Sequence, residues 1–238
     1  MFDPFKDFEQ AGYLRNRFKE KDPDIVRELE HTMFRTGLDD AIHYLSQKQH
    51  ITYADFKAVH KILFSEFYPW AGQDRNQITP NLAISKADTH FCHPADIERA
   101  IVAGLKIGND KEQMLKRPGE VMGYFAYGHP FLDGNGRTIL IIHSELCHRA
   151  GFCIDWPQTQ KKDYLTALSK EIASPRKNHL DSYLSNFIVP KRDRLAWGGS
   201  IGDIKGLDGG NTRDSVEGEY SNQEVLAKYK EFELNRNK

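Results

Sequence analysis

The run His129–Leu140, HPFLDGNGRTIL, sets a base, an acid, an amide, a cation and two glycines side by side. A loop that ends in Asp-Gly-Asn-Gly and leads into an apolar stretch exposes the free N–H groups of a helix's first turn. Those groups and the helix dipole favour an anion. Gly134 and Gly136 let the backbone approach a ligand closely. Arg137 falls in the first turn, badly placed for the dipole but well placed to grip a phosphate bidentately. Asp133 adds a hard oxygen ligand beside it, the setting in which Mg2+ joins one or two carboxylates to substrate phosphates. His129, four residues upstream, is of the type best suited to general base work. Asn135 offers an amide N–H to a phosphate oxygen, and Phe131 is expected to point inward and pin the loop. Singly, each residue fits a cap or a surface role. As one contiguous set they fit in-line phosphoryl or nucleotidyl transfer.

Helices must carry this loop. DPDIVRELEHTMFRTG offers Asp22 as N-cap, Pro23 in the first turn and Gly37 as a stop, with Ile25, Leu29 and Met33 four residues apart. ITYADFKAVHKILFSEF has Thr52 as a cap and sets Tyr53, Phe56, His60, Leu63 and Phe67 on one face, where His60 reads as a core histidine. Pro69 and Gly72 break that helix. Residues 76–91 carry no helical stripe. The alternation of Leu82 and Ile84, with a polar tip at 85–88, predicts a β-hairpin or flap. Helical patterns resume in HPADIERAIVAGLKIG, in EVMGYFAYGHPF before the motif and in GRTILIIHSELCHRAG after it, the last ended by Gly151. KKDYLTALSKEIA and LDSYLSNFIV predict two more. The expected fold class is all-α, a helical bundle with one small β-hairpin flap. Seven glycines between Gly198 and Gly218 read as a flexible linker. NQEVLAKYKEFEL then predicts a short helix docking through Val225, Leu226, Tyr229 and Phe232. The expected organisation is a catalytic domain over 1–190, a Gly-rich linker over 191–222 and a short C-terminal helix or tail over 223–238.

Composition narrows the class. With 39% hydrophobic and 28% charged residues in 238, the chain is an ordinary globular protein, and a formal charge of −1 gives no global field for nucleic acid. It has neither a GxxxxGK(S/T) loop nor a kinase glycine-rich loop. Cys92, Cys147 and Cys153 form no CxxC pair and fit core thiols in a reducing compartment. The run HFCH, His90–His93, is too tightly spaced for a usual structural zinc site. MFDPFKDFEQ has no apolar leader core, and no apolar run approaches the roughly 20 residues of a membrane span. A cytoplasmic protein without a membrane partner is expected. Delivery into a host cell by machinery that reads other signals stays open.

HPFLDGNGR, His129–Arg137, resembles the signature of the Fic family, HPFx(D/E)GN(G/K)RxxR, at every position through the first arginine. LFSEFYPWAGQDRN resembles the stretch that precedes the Fic flap, and AGFCIDW the segment after the motif helix, so the resemblance spans roughly residues 10–190. It implies a Fic-like helical fold and a protein nucleotidyltransferase that moves the AMP part of ATP onto a Ser, Thr or Tyr hydroxyl of a target protein, releasing pyrophosphate. In that reading His129 deprotonates the target hydroxyl and Asp133 holds Mg2+. The backbone around Gly134, Asn135 and Gly136 forms the anion hole, and Arg137 binds phosphate. Leu82, Ala83, Ile84, Ser85 and Lys86 of the flap line up the target segment by strand-like pairing. The implied partners are the nucleotide, the target protein and, for a toxin rather than a delivered effector, an antitoxin or inhibitory partner.

The resemblance breaks at Leu140, where the family carries a second arginine that clamps the γ-phosphate of ATP. Losing a charge-assisted hydrogen bond removes roughly 1.5–3 kcal/mol, so weaker ATP binding or a different donor nucleotide is expected. The Doc branch phosphorylates its targets, a behaviour linked to lysine where this chain has Gly136. Gly136 therefore favours nucleotidyl transfer over Doc-like phosphorylation or other phosphate-containing transfers. A catalytically idle nucleotide- or protein-binding module is the alternative from another class. The tail TRDSVEGEY ends like the family's inhibitory motif (S/T)xxxE(G/N) at Glu217-Gly218, but Arg213 holds the Ser/Thr position. With Leu140 offering no cation, inhibition of the site by Glu217 is not expected.

Overall fold

Asp22 accepts hydrogen bonds from the backbone N–H groups of Asp24 and Ile25 and so starts helix α1 (Pro23–Ser46). The computed structural model describes residues 15–86, 89–197, 201, 204 and 215–236. Residues 198–200, 202–203 and 205–214 of the predicted glycine linker and the flap-tip residues 87–88 lie outside the described residues. Helix α1 does not stop at Gly37. A Cβ there would come within 2.9 Å of the Ile62 carbonyl oxygen and 3.2 Å of the Leu63 Cα. The glycine lets α1 lie directly against α2 (Tyr53–Phe64) and has no part in termination. Asp55 begins α2 by accepting from the Thr52 N–H at 2.8 Å and the Thr52 hydroxyl at 2.7 Å.

The next cap alters the flap's expected start. Asp74 accepts from Gln77 N–H and the Gln77 side chain accepts from Asp74 N–H, a reciprocal box that winds α3 (Arg75–Ile78). The hairpin follows as β1 (Leu82–Lys86) and β2 (Thr89–His90), paired antiparallel with Ser85 opposite His90. Helices α4 (Ile97–Gly108), α5 (Lys111–Lys116), α6 (Pro118–Gly128) and α7 (Asn135–Ala150) come next. Helix α6 buries ten of its eleven residues and α7 eleven of its sixteen, so these two form the centre of the bundle. Helices α8 (Lys161–Ala173) and α9 (His179–Leu184) complete it.

Three strands depart from the predicted pattern. LDSYLSNFIV is α-helical only through Leu184, and Ile188–Pro190 forms β4 against β3 (Phe152–Ile154). Two β-branched residues, the second before a proline, prefer extended backbone. Within the span predicted as linker, β5 (Ser215–Glu219) pairs antiparallel with β1 and gives a three-stranded sheet in the order β2-β1-β5. Helix α10 (Gln223–Arg236) follows as predicted, with Phe232 against His90 and the Tyr229 hydroxyl accepting from the His93 N–H.

Gly37→Ala sets two effects against each other. Helix propensity gains about 1 kcal/mol, while overlap with the α2 backbone loses roughly 1–3 kcal/mol. The expected outcome is a lower melting temperature. A rise would show that α1 and α2 separate without penalty.

Candidate active site

Helix α6 ends at Gly128, and His129 turns the chain with φ 40° and ψ 60°. A left-handed conformation disfavours an L-residue with a Cβ by roughly 1–2 kcal/mol, so something must hold it. Arg75 does. Its backbone N–H donates to Pro130 O at 2.8 Å and its Nε to His129 O at 2.7 Å. Its Nη2 donates to Cys92 O at 3.1 Å and Gly128 O at 3.4 Å. The side chain is fully buried, so these carbonyls are its solvation. The imidazole of His129 lies flat on Phe91, with ring centroids 3.7 Å apart and planes 3° from parallel. Phe91 follows β2 directly, which ties the flap to the motif.

Asn135 closes the loop from the other side. Its Oδ1 accepts from Phe131 N–H at 2.8 Å and its Nδ2 donates to Phe131 O at 2.7 Å. The Phe131 N–H must meet an oxygen, which fixes the orientation of the amide. The second Nδ2 hydrogen therefore points at His129 Nε2, 3.1 Å away. That nitrogen is the acceptor, and the neutral ring carries its proton on Nδ1. Both amide hydrogens are thus engaged within the loop, to Phe131 O and to the His129 ring. Phe131 is fully buried, as expected, and stacks on His60 at 3.8 Å. His60 is more than a core residue. Its Nδ1 accepts from Gly72 N–H at 2.9 Å, so its Nε2–H donates to Asp133 O at 3.0 Å. Burial pushes His60 down to about 3, which keeps it neutral in that role.

Helix α7 starts from this loop. Gly134 has φ 74°, and a Cβ on it would overlap the Phe64 ring at 2.5 Å. Gly136 differs: a Cβ there would meet nothing within 4 Å. Packing does not demand that glycine, and the space beside it adjoins the N–H groups that α7 cannot satisfy internally. The Asp133 side chain is 48% exposed and its Oδ1 accepts from Gly134 N–H. Arg137 is buried, with Nη2 2.8 Å from Glu30 and 3.5 Å from Asp133, and its guanidinium lies over the Phe64 and Phe34 rings. Its Nη1 is buried without a hydrogen-bond partner among the described residues. Leu140 lies one turn on from Arg137 and packs into the core at 6% exposure.

The five predicted flap residues are the five residues of β1, and Ala83, Ile84 and Ser85 are buried. The sequence reading missed Arg75 and Glu30. Arg75 stands in the quoted stretch LFSEFYPWAGQDRN and has an N-cap box before it as a signal. Glu30 has none, since it is one acid among several on a helix. Among the described residues no group of three or more His, Cys, Asp or Glu side chains stands together for a metal. No described helix is long and apolar enough to cross a membrane.

Burial pushes Glu30 up to about 7, with Asp133 adding to the rise and Arg137 opposing it. A carboxyl raised on folding binds its proton more tightly in the native state. Its contribution to stability is therefore complete below about 4.5 and is lost as pH climbs through about 7. Glu30→Gln removes that titration. The expected result in a melting series is a variant that gains on wild type as pH rises across this window; parallel curves would contradict it.

The family model described as Fic/DOC family matches residues 50–147. A probable protein adenylyltransferase of Sinorhizobium fredii is 28% identical over 169 residues, 67% of this chain and 83% of that protein. Protein adenylyltransferase VbhT of Bartonella schoenbuchensis is 32% identical over 120 residues, 47% of this chain but only 24% of that longer protein. Among solved structures, the BepC effector of Bartonella tribocorum with bound AMPPNP superposes with a TM-score of 0.63 at 19% identity, over 75% of this chain and 93% of that one. The N-terminal Fic domain of a Bartonella quintana effector with bound ADP gives 0.65 at 19% identity, over 79% and 96%. The motif loop, the flap against it and the helices that hold both are those of the Fic fold, and residues 50–147 match the Fic/DOC family model.

Proposed function

We propose that the domain is a protein adenylyltransferase, moving AMP from ATP to a Ser, Thr or Tyr hydroxyl of a target protein. The observation that carries this reading is the placement of His129 Nε2, an acceptor by its contact with Asn135, at the mouth of the α7 N-terminus, with open space at Gly136. The names of the two curated relatives and the nucleotides bound in the two Bartonella structures support it.

In the proposed reaction the target oxygen attacks the α-phosphorus, the bond from that phosphorus to the bridging oxygen breaks, and pyrophosphate leaves with the electron pair. His129 Nε2 takes the hydroxyl proton once the target hydroxyl replaces Asn135 Nδ2 as its partner. The first-turn N–H groups of α7 hold the phosphate oxygens. Arg137, the one cation of the motif, has Nη1 left to donate. Asp133 fits a magnesium site of the kind completed by substrate phosphates. It is half-exposed, and only one of its oxygens is engaged by Gly134. When bound, Mg2+ would neutralise charge on the phosphates. Leu140 is buried in the core and gives the γ-phosphate no contact of its own. Target docking is assigned to Leu82–Lys86, the strand whose hairpin partner leads into Phe91 beneath the His129 ring.

Incubation with each of the four labelled nucleoside triphosphates and a cell lysate tests the reading. Label is expected with ATP from the wild type and not from His129→Ala. No His129-dependent label from any of the four would remove the enzymatic assignment. Gly136→Val tests the cradle separately. It should fold with a melting temperature close to wild type, since valine is no worse than glycine in a helix by about 0.5 kcal/mol. It should lose the rise in melting temperature that ATP and Mg2+ give the wild type. A retained rise would show that the space beside Gly136 is not where phosphate lies.

A further inference from the structure

Strand β1 has both of its edges taken. On one side it pairs with β2, Ser85 opposite His90 and Lys86 opposite Thr89. On the other it pairs with β5, in the register Leu82 to Glu219, Ala83 to Gly218, Ile84 to Val216 and Ser85 to Ser215. The register slips between Ala83 and Ile84, which leaves Glu217 as the extra residue of a bulge. The carboxylate of Glu217 accepts a hydrogen bond from the Ser85 hydroxyl, so the bulge faces a polar group of the flap. Beyond the strand, Tyr220 N–H donates to Asn81 O at 2.9 Å and its ring packs on His93 at 4.4 Å.

Strand addition needs a row of unpaired backbone groups on β1. Among the described residues β5 already uses them. The tail that holds β5 is fastened at the surface. Helix α10 has no fully buried residue. It is held by partly buried rings, Phe232 against His90 and Tyr229 against Tyr220, by the Arg236 guanidinium over the Tyr127 ring, and by hydrogen bonds, among them His93 N–H to Tyr229, Tyr127 to Glu233 at 2.6 Å and Arg236 Nε to Ile172 O at 3.0 Å. A segment with no fully buried side chain opens locally at lower free energy than the core.

We propose that β5 is a tethered stand-in for the target strand. It occupies the β1 edge that an incoming target segment needs, and the target enters only when residues 215–219 leave. The inference rests on the reading of Leu82–Lys86 as the docking strand. It also gives the target a chemistry: an extended, antiparallel segment with a small residue opposite Ala83 and a carboxylate within reach of the Ser85 hydroxyl. The occupied site is the docking edge, so the tail competes with the target protein and not with the nucleotide.

The full-length chain carrying Leu82→Cys and Glu219→Cys tests this, because directly opposed antiparallel residues have the spacing a disulfide requires. Oxidised, the protein is expected to label lysate proteins at least about tenfold more slowly than when reduced. The melting-temperature rise given by ATP and Mg2+ should stay equal in the two states. Equal labelling in both states overturns the proposal. A second experiment needs no catalysis. A fluorescent peptide of residues 213–221 should bind full-length Gly218→Pro, because proline's fixed φ cannot reach the 121° of Gly218 and the tail strand is disrupted. It should not bind the wild type, where the tether holds the competing strand at roughly millimolar effective concentration. Failure to bind Gly218→Pro, with its nucleotide response intact, overturns the proposal. So does equal binding to both proteins. Peptide binding to Gly218→Pro alone, with no label from any protein, supports the strand competition and removes the transferase reading.

Discussion

The backbone turn at His129 is the constraint on which the rest of the site depends. A histidine with φ 40° is disfavoured by its own Cβ and persists because Arg75 takes the carbonyls of Gly128 and His129 and the one at Cys92. That single buried guanidinium joins the end of α6 to the segment that leaves β2 of the flap. Asn135 completes the hold from the first residue of α7, so the base and the anion-binding helix end are set by one amide. His60 fixes the intervening loop through the carbonyl of Asp133. Three polar side chains, none aimed at a ligand in this geometry, thus determine where the reacting groups stand.

Electrostatics divides the motif in a similar way. The positive end of α7 and the space beside Gly136 face outward, whereas Arg137 lies between Glu30 and two phenylalanine rings. A buried ion pair of this kind is weak evidence for stability, because desolvation offsets much of the attraction. Its consequence is positional. Glu30 on α1 holds the guanidinium beneath the start of α7, and the neighbouring Asp133 remains half-exposed.

What the sequence disclosed follows from how each feature is encoded. Residues 129–137 are contiguous, so they could be read as one loop leading into a helix without a structure. The helices were legible because α2, α4 and α7 repeat apolar residues with a helical period. Gly37 misled because a glycine that permits close packing looks the same in sequence as one that ends a helix. Strands β4 and β5 were missed because they are short and lack apolar alternation, and each is defined by a partner far away in the chain. Arg75 and Glu30 were missed for the same reason: their partners are chosen by how α1 and α3 pack on the motif, not by spacing. Ser215–Glu219 sits in a glycine-rich stretch that reads as linker, yet it pairs with the flap.

Asn135 and Arg75 present His129 with an unprotonated Nε2 toward the α7 N-terminus. Nitrogen-15 NMR of the protein labelled in its histidine rings tests this arrangement. In the neutral ring of His129 a protonated Nδ1 and an acceptor Nε2 are expected, a preference that weakens in Asn135→Ala. A neutral ring with its proton on Nε2 would contradict it.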